Sequence, residues 1–151
     1  MNGRVTALGS HLTALIDGSG HRYVNYVDAN GQIWENYWSG TRWSNAQIVQ
    51  KAEAAATGAS RTALFDGSGH RLVYYVGADG HIWEDYFSGS AWSNSRQTKG
   101  QQAASNAGPA SLIDAAGHRF VYYVGANGQI WETYFSGSAW STARHTHGED
   151  R

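Results

Sequence analysis

The sequence predicts an all-β protein built from three copies of one four-stranded antiparallel unit. Three observations predict it: a repeat of just under fifty residues, three turn signals inside each copy, and β-branched and aromatic runs between the turns. The repeat is read directly from the chain. "DGSGHRYVNYVDANGQIWENYWSGTRWSN" begins at Asp17, "DGSGHRLVYYVGADGHIWEDYFSGSAWSN" at Asp66 and "DAAGHRFVYYVGANGQIWETYFSGSAWST" at Asp114, spacings of 49 and 48 residues. Periods in that range mark solenoids, propellers and arrays.

Taken in order, the first turn signal is Asp17-Gly18, Asp66-Gly67 or Ala115-Ala116-Gly117. The second is Asn30-Gly31, Asp79-Gly80 or Asn127-Gly128, and the third is Ser39-Gly40, Ser88-Gly89 or Ser136-Gly137. Asn-Gly and Asp-Gly supply the positive φ angles of two-residue hairpins. Three turns leave four strands rich in Val, Ile, Tyr, Trp and Phe, placed in the first copy at about 11–17, 21–27, 32–38 and 42–48. Ala- and Gly-rich links at 50–59 and 99–110 read as surface connections, the first with helical potential.

Repeated four-stranded antiparallel units of this size are the blades of a β-propeller. Blades stack face to face, which suits the apolar "RLVYYV". A β-trefoil is the other threefold architecture considered. The chain is expected to form one domain over 1–151, with repeats at about 11–49, 60–98 and 109–147. Three blades do not close a ring, and an open arc leaves two apolar faces bare. Closed symmetry is the usual outcome for homo-oligomers, so a homodimer with six blades is expected. The other reading is that the chain is a portion of a longer propeller.

Composition narrows the function. Hydrophobic residues make up 41% and charged residues 15% of 151, which fits an ordered globular chain. A net charge of -1 gives no basic field for nucleic acid or anionic lipid. No apolar run is long enough to insert in a membrane as a helix. "MNGRVTALGS" lacks the layout of a signal peptide, so a cytoplasmic location or export without a leader is expected. Cysteine is absent, which excludes disulfides and thiol chemistry.

One constellation recurs in every copy. Glu35, Glu84 and Glu132 each share a strand face with an isoleucine and a tyrosine, where an unpaired carboxylate is costly. They serve either as structural ion-pair partners or as acceptors for ligand hydroxyls. Arg22, Arg71 and Arg119 open the second strand. With a two-residue Asn-Gly turn, Tyr26 falls opposite Glu35, and Arg22 falls on the same face about 13 Å along the strand. Trp43, Trp92 and Trp140 open the fourth strand, while Trp38, Phe87 and Phe135 lie three residues after each glutamate. Such surfaces beside fixed polar groups make small-ligand pockets. Trp34, Trp83 and Trp131 face the other way and read as core. His21, His70 and His118 stand without a second metal ligand at useful spacing, "DGSGH" lacks a calcium-loop series, and "HTHG" at 145–148 reads as a polar tail. Neither a metal nor a cofactor is expected.

"VNYVDANGQIWENYWSGTRWS" resembles the blade motif of the six-bladed fucose-binding lectins of the Aleuria and Ralstonia type, approximately "RVYxxxxGxIxExxWDGxGW". The match covers most of each ordered repeat. It implies a non-catalytic, multivalent sugar-binding protein that holds fucose or another monosaccharide between adjacent blades. By position it implies sugar-accepting roles for Glu35, Glu84 and Glu132. The stacking roles go to Trp38, Phe87 and Phe135 with Trp43, Trp92 and Trp140. The family's arginine position holds Tyr23 or Val24, Leu72 or Val73, and Phe120 or Val121, with the arginine one or two residues earlier. Either a β-bulge moves it into place, or the sites are wider and hold another sugar. A ligand-free propeller scaffold or protein-interaction module is the alternative function. A glycoside hydrolase would need a second carboxylate, and the only other recurring acid sits in a turn.

Overall fold

The computed structural model describes residues 6, 10–48, 54–56, 60–97, 101–104 and 106–146; among them are three four-stranded antiparallel sheets and no helix. The first blade holds β1 (Thr13–Ile16), β2 (Arg22–Val27), β3 (Ile33–Trp38) and β4 (Trp43–Gln47). The second holds β5 (Arg61–Phe65), β6 (Arg71–Val76), β7 (Ile82–Phe87) and β8 (Trp92–Arg96). The third holds β9 (Ala110–Ile113), β10 (Arg119–Val124), β11 (Ile130–Phe135) and β12 (Arg144–His145). Within each sheet the strands lie in sequence order. The first strands are innermost, with β1 against β5 and β5 against β9. This is the arrangement of β-propeller blades, three per chain.

The second turn differs from expectation in one respect that matters. Asp28 N–H donates to Gln32 O at 2.9 Å and Gly31 N–H to Asp28 O at 3.1 Å, with Gly31 at φ 78°. That is a three-residue loop closed by a left-handed glycine, not a two-residue hairpin. The added residue shifts the pairing by one, and a one-residue shift moves every side chain to the other face. Asn25, not Tyr26, therefore lies opposite Glu35, and Arg22 pairs with Trp38. One face of the first blade carries Tyr23, Asn25, Ile33, Glu35 and Tyr37, and the other carries Arg22, Val24, Tyr26, Trp34 and Trp38. The expected placement of Arg22 beside Glu35 on one face is thus overturned.

Facing blades share two cores. Ile33 packs with Val73, Tyr75, Trp83 and Trp92 between the first and second blades. Leu72, Tyr74, Val76 and Ile82 pack with Val121, Tyr123, Trp131 and Trp140 between the second and third. Trp34, Trp83 and Trp131 are only half-buried; their indole N–H groups donate to Asp28, Asp79 and Asn127 in the adjacent turns.

The links are surface connections only in part: Gln102 and Asn106 are exposed, but each link has a buried residue at its centre. Ala55 and Ala103 are buried, and their N–H groups donate to Gly31 O at 2.9 Å and Gly80 O at 2.8 Å. Each link runs extended between the second turns of successive blades, so burial costs its backbone no hydrogen bond. The remainder of 50–59, and 98–100, lie outside the described residues. A Cβ at Gly31 would sit 3.1 Å from Ala55 O and 3.2 Å from Ala54 Cβ. Gly31→Ala is accordingly expected to cost about 1–3 kcal/mol, from the left-handed backbone and this contact together. Gly18→Ala meets nothing within 4 Å and has no positive φ, so its urea midpoint should stay close to wild type.

Candidate functional site

Opposite faces of each blade carry the glutamate and the arginine, so the two meet only across a junction. At the first junction Glu35 Oε1 accepts from Arg71 Nη2 at 3.0 Å, and Oε2 accepts from Asn25 Nδ2 at 3.2 Å. The Arg71 guanidinium lies 4.4 Å from the Tyr23 ring centroid on one blade and 4.3 Å from that of Phe87 on the other, with Trp92 at 5.2 Å. At the second junction Glu84 Oε2 accepts from Arg119 Nη1 at 3.0 Å. Arg119 lies over Phe135 at 4.0 Å and Trp140 at 5.7 Å, and Tyr74 meets Trp140 edge-on at 6.0 Å.

Burial sets the electrostatics. Glu35 and Glu84 are buried, which pushes both carboxyls above their ordinary values, while Arg71 and Arg119 pull them back. The Tyr74 hydroxyl is pushed far up by burial and by the Glu84 charge. The Nε of Arg71 is buried with no hydrogen-bond partner among the described residues.

These pairs bring together Glu35, Arg71, Phe87 and Trp92 at one junction, and Glu84, Arg119, Phe135 and Trp140 at the next. Each arginine comes from the following blade. The pairing of β2 with β3 is continuous, so no bulge moves Arg22 toward Glu35. Arg22 stays exposed, 5.1 Å from the Trp38 ring and 5.5 Å from Trp43.

A one-residue bulge does occur, in the fourth strand of the third blade. Phe135 pairs with Trp140, but Glu132 pairs with Arg144, so Thr142 and Ala143 together oppose Thr133. In the other blades the corresponding partners of the glutamate are Ala46 and Ser95. There Asn45 and Asn94 donate to Asn36 and Asp85, both at 2.6 Å, and hold the register. The third copy has Thr142 and Thr133 instead. Arg144 Nε and Nη2 donate to Glu132 Oε1 at 3.0 and 2.7 Å.

A cleft of about 660 Å³ opens between the second and third blades, lined by Tyr86, Arg119, Phe135 and the turns at 66–68 and 114–117. A cleft of about 440 Å³ lies between the first and second, lined by Tyr23, Phe65 and the turns beginning at Asp17 and Asp66. Neither the glutamates nor the fourth-strand tryptophans are among the residues that line these two clefts. Sequence reasoning missed Tyr23, Asn25, Tyr74, Tyr86 and Arg144. The recurrent histidines close the turns: His21, His70 and His118 Nδ1 lie 2.8–2.9 Å from Asp17, Asp66 and Asp114. Burial raises the Asp17 carboxyl, but its hydrogen bonds with His21, Tyr23 and Ser19 outweigh that and hold it at about 2. Among the described residues no three His, Cys, Asp or Glu side chains converge as a metal site. Of "HTHG", residues 147–148 lie outside the described residues.

No protein-family model matches the sequence, and no curated protein does. Among solved structures the chain is similar to a fucose lectin from Kordia zhangzhouensis in complex with methyl-fucoside, at 28% identity and TM-score 0.65, covering 91% of this chain and 100% of that one. It is also similar to AofleA from Arthrobotrys oligospora, at 21% identity and TM-score 0.75, covering 92% and 42%. The six-bladed β-propeller lectin of Aleuria aurantia matches at 18% identity and TM-score 0.72, covering 95% and 50%. The chain thus spans half or less of these two longer proteins. A more distant likeness, at 14% identity and TM-score 0.62, is to an α-L-arabinofuranosidase from Clostridium thermocellum. The resemblance to six-bladed fucose lectins expected from the blade motif is present in the fold.

Proposed function

We propose that this chain is a non-catalytic, multivalent carbohydrate-binding lectin, one domain of three blades that joins further copies into a closed ring. The observation that carries this is the repeated convergence of a glutamate, an arginine and two aromatic rings between blades, beside an open cleft. The likeness to a fucose lectin over that protein's whole length supports it. The sugar would sit in the outer cleft, with a ring face on Phe135 and hydroxyls toward Arg119, which Glu84 holds in place.

The site's chemistry favours binding over hydrolysis. Glu84 is paired with Arg119, and its neighbour Asp85 points to the opposite blade face. The turn aspartates are bound to histidines, so among the described residues no second free carboxylate faces the cleft for acid–base work.

The arginines occupy the places beside glutamate and aromatic rings that the family resemblance assigns to sugar. This favours a second reading, a ligand-free scaffold whose glutamates serve only as ion-pair partners. A glycan array followed by calorimetry with methyl-fucoside and other monosaccharides separates the two. Saturable binding is expected, weakened about tenfold in Glu84→Gln by loss of a charge-assisted network. No response to any glycan, with the fold intact, would leave the scaffold reading.

A further inference from the structure

The copies differ at one position that faces the interior junctions. The first blade has Tyr23 there, and its counterpart in the second is Leu72. Each pairs with the tyrosine two residues after the glutamate, Tyr37 or Tyr86, and so shares the glutamate's face.

Tyr23 reaches across the first junction. Its ring meets Phe65 of the second blade edge-on at 5.7 Å and lies 5.0 Å from the ring of Tyr37. The Arg71 guanidinium sits 4.4 Å from its centroid, so rings from both blades hold that arginine. The far end is fixed as well. The Tyr23 hydroxyl donates to Asp17 Oδ2 at 3.0 Å, and Asp17 also holds His21. Leu72 has no such reach. It is fully buried in the second core, with Tyr86 packed against that core. Among the described residues the rings on Arg119 are Phe135 and Trp140, both from its own blade.

The clefts differ accordingly. The second, of about 660 Å³, is lined by Tyr86, Arg119 and Phe135. The first, of about 440 Å³, is lined by Tyr23, and the counterparts Tyr37, Arg71 and Phe87 are not among its lining residues. Burial of the arginines does not explain this, because the side chains of Arg71 and Arg119 are 13% and 14% exposed. The difference is the ring that stands between Arg71 and the cleft.

We propose that Tyr23 closes the first interior cleft to saccharides, while Leu72 leaves the second open. A sugar needs a ring face and a fixed polar group together. The second cleft offers Phe135 beside Arg119, and in the first neither counterpart reaches the cleft. The two interior junctions are therefore unequal, and one of them serves as a site. This inference rests on the lectin reading and assigns that binding to one position in the chain.

Calorimetry with methyl-fucoside should give Tyr23→Leu one more binding site per chain than wild type, with circular dichroism confirming the fold. Binding with unchanged stoichiometry would overturn the role of Tyr23 and leave the lectin reading standing. The reciprocal Leu72→Tyr should lose one site per chain, and retention of every site in the folded variant would overturn the role of Leu72. Where the larger side chain prevents folding, the Tyr23→Leu result decides. Silence of both wild type and Tyr23→Leu toward methyl-fucoside and every glycan on an array would remove the lectin reading and this inference together.

Discussion

Arg71→Ala is expected to destabilise the fold by about 3–5 kcal/mol at neutral pH, the usual consequence of leaving a buried charge without its partner. Glu35 and Arg71 have side chains only 10% and 13% exposed, so solvent cannot take over from the guanidinium. After substitution only Asn25 remains on the carboxylate. The cost should shrink in acid. Burial already raises Glu35 above its ordinary value, and removing Arg71 raises it further. A carboxyl whose folded-state pKa is raised contributes stability below its unfolded value, lost as pH rises through the folded value. Urea melts at pH 4.5 and pH 8 should therefore show a much smaller deficit at the lower pH. Equal deficits would mean that lost packing against Tyr23 and Phe87, not a stranded charge, dominates. Replacing Glu35 and Arg71 together with apolar residues of similar volume should recover most of the loss.

Asp85→Asn is expected to stabilise the protein by about 2–4 kcal/mol at pH 8 and to change little at pH 4. Asp85 is fully buried, and its Oδ2 has no hydrogen-bond partner among the described residues. Burial, with the Glu84 charge adding to it and the Asn94 bond opposing, pushes the carboxyl up to about 7. Between the ordinary carboxylate range near pH 4 and pH 7, the folded state holds a proton that the unfolded state has lost. Stability therefore falls as pH rises across that window and levels off above it. An amide carries no such penalty, and the first blade shows that it fits: Asn36 occupies the same place and accepts from Asn45 at 2.6 Å. Melts from pH 4 to 8 should show the wild-type decline flattened in the variant. An unchanged slope would place the titration elsewhere.

Both expectations depend on register, which is where sequence and structure part company. Four strands per copy were legible from the turn residues and β-rich runs, and the bounds placed in the first copy lie within about two residues of those observed. The glutamates and aromatics were legible as a set because their spacing repeats. Their partners were not. Asn-Gly alone does not distinguish a two-residue turn from a three-residue loop ending on the glycine, and the second form is adopted. Tyr23 and Asn25 were passed over for the same reason, since the assumed register turned them away from Glu35.

Arg144 gave less warning still. Without a gap, the third copy aligns Arg144 with Gln47 and Arg96, the partners of Trp34 and Trp83 on the face away from the glutamate. Only the bulge after Trp140 brings it opposite Glu132. The change from Asn45 and Asn94 to Thr142 removes the side-chain bond that holds the fourth strand in step.

The amino-acid sequence by itself determined the three repeats, their strands and turns, and the residue types available to each junction. These are local properties, set by backbone propensity and by a glycine wherever φ is positive. Only the tertiary structure decided that the arginine of one blade meets the glutamate of the blade before it. The reason is physical: side chains alternate faces with a period of two, so one residue in a loop decides which blade an arginine addresses. Face-to-face packing then turns that local choice into an ion pair between residues 36 positions apart.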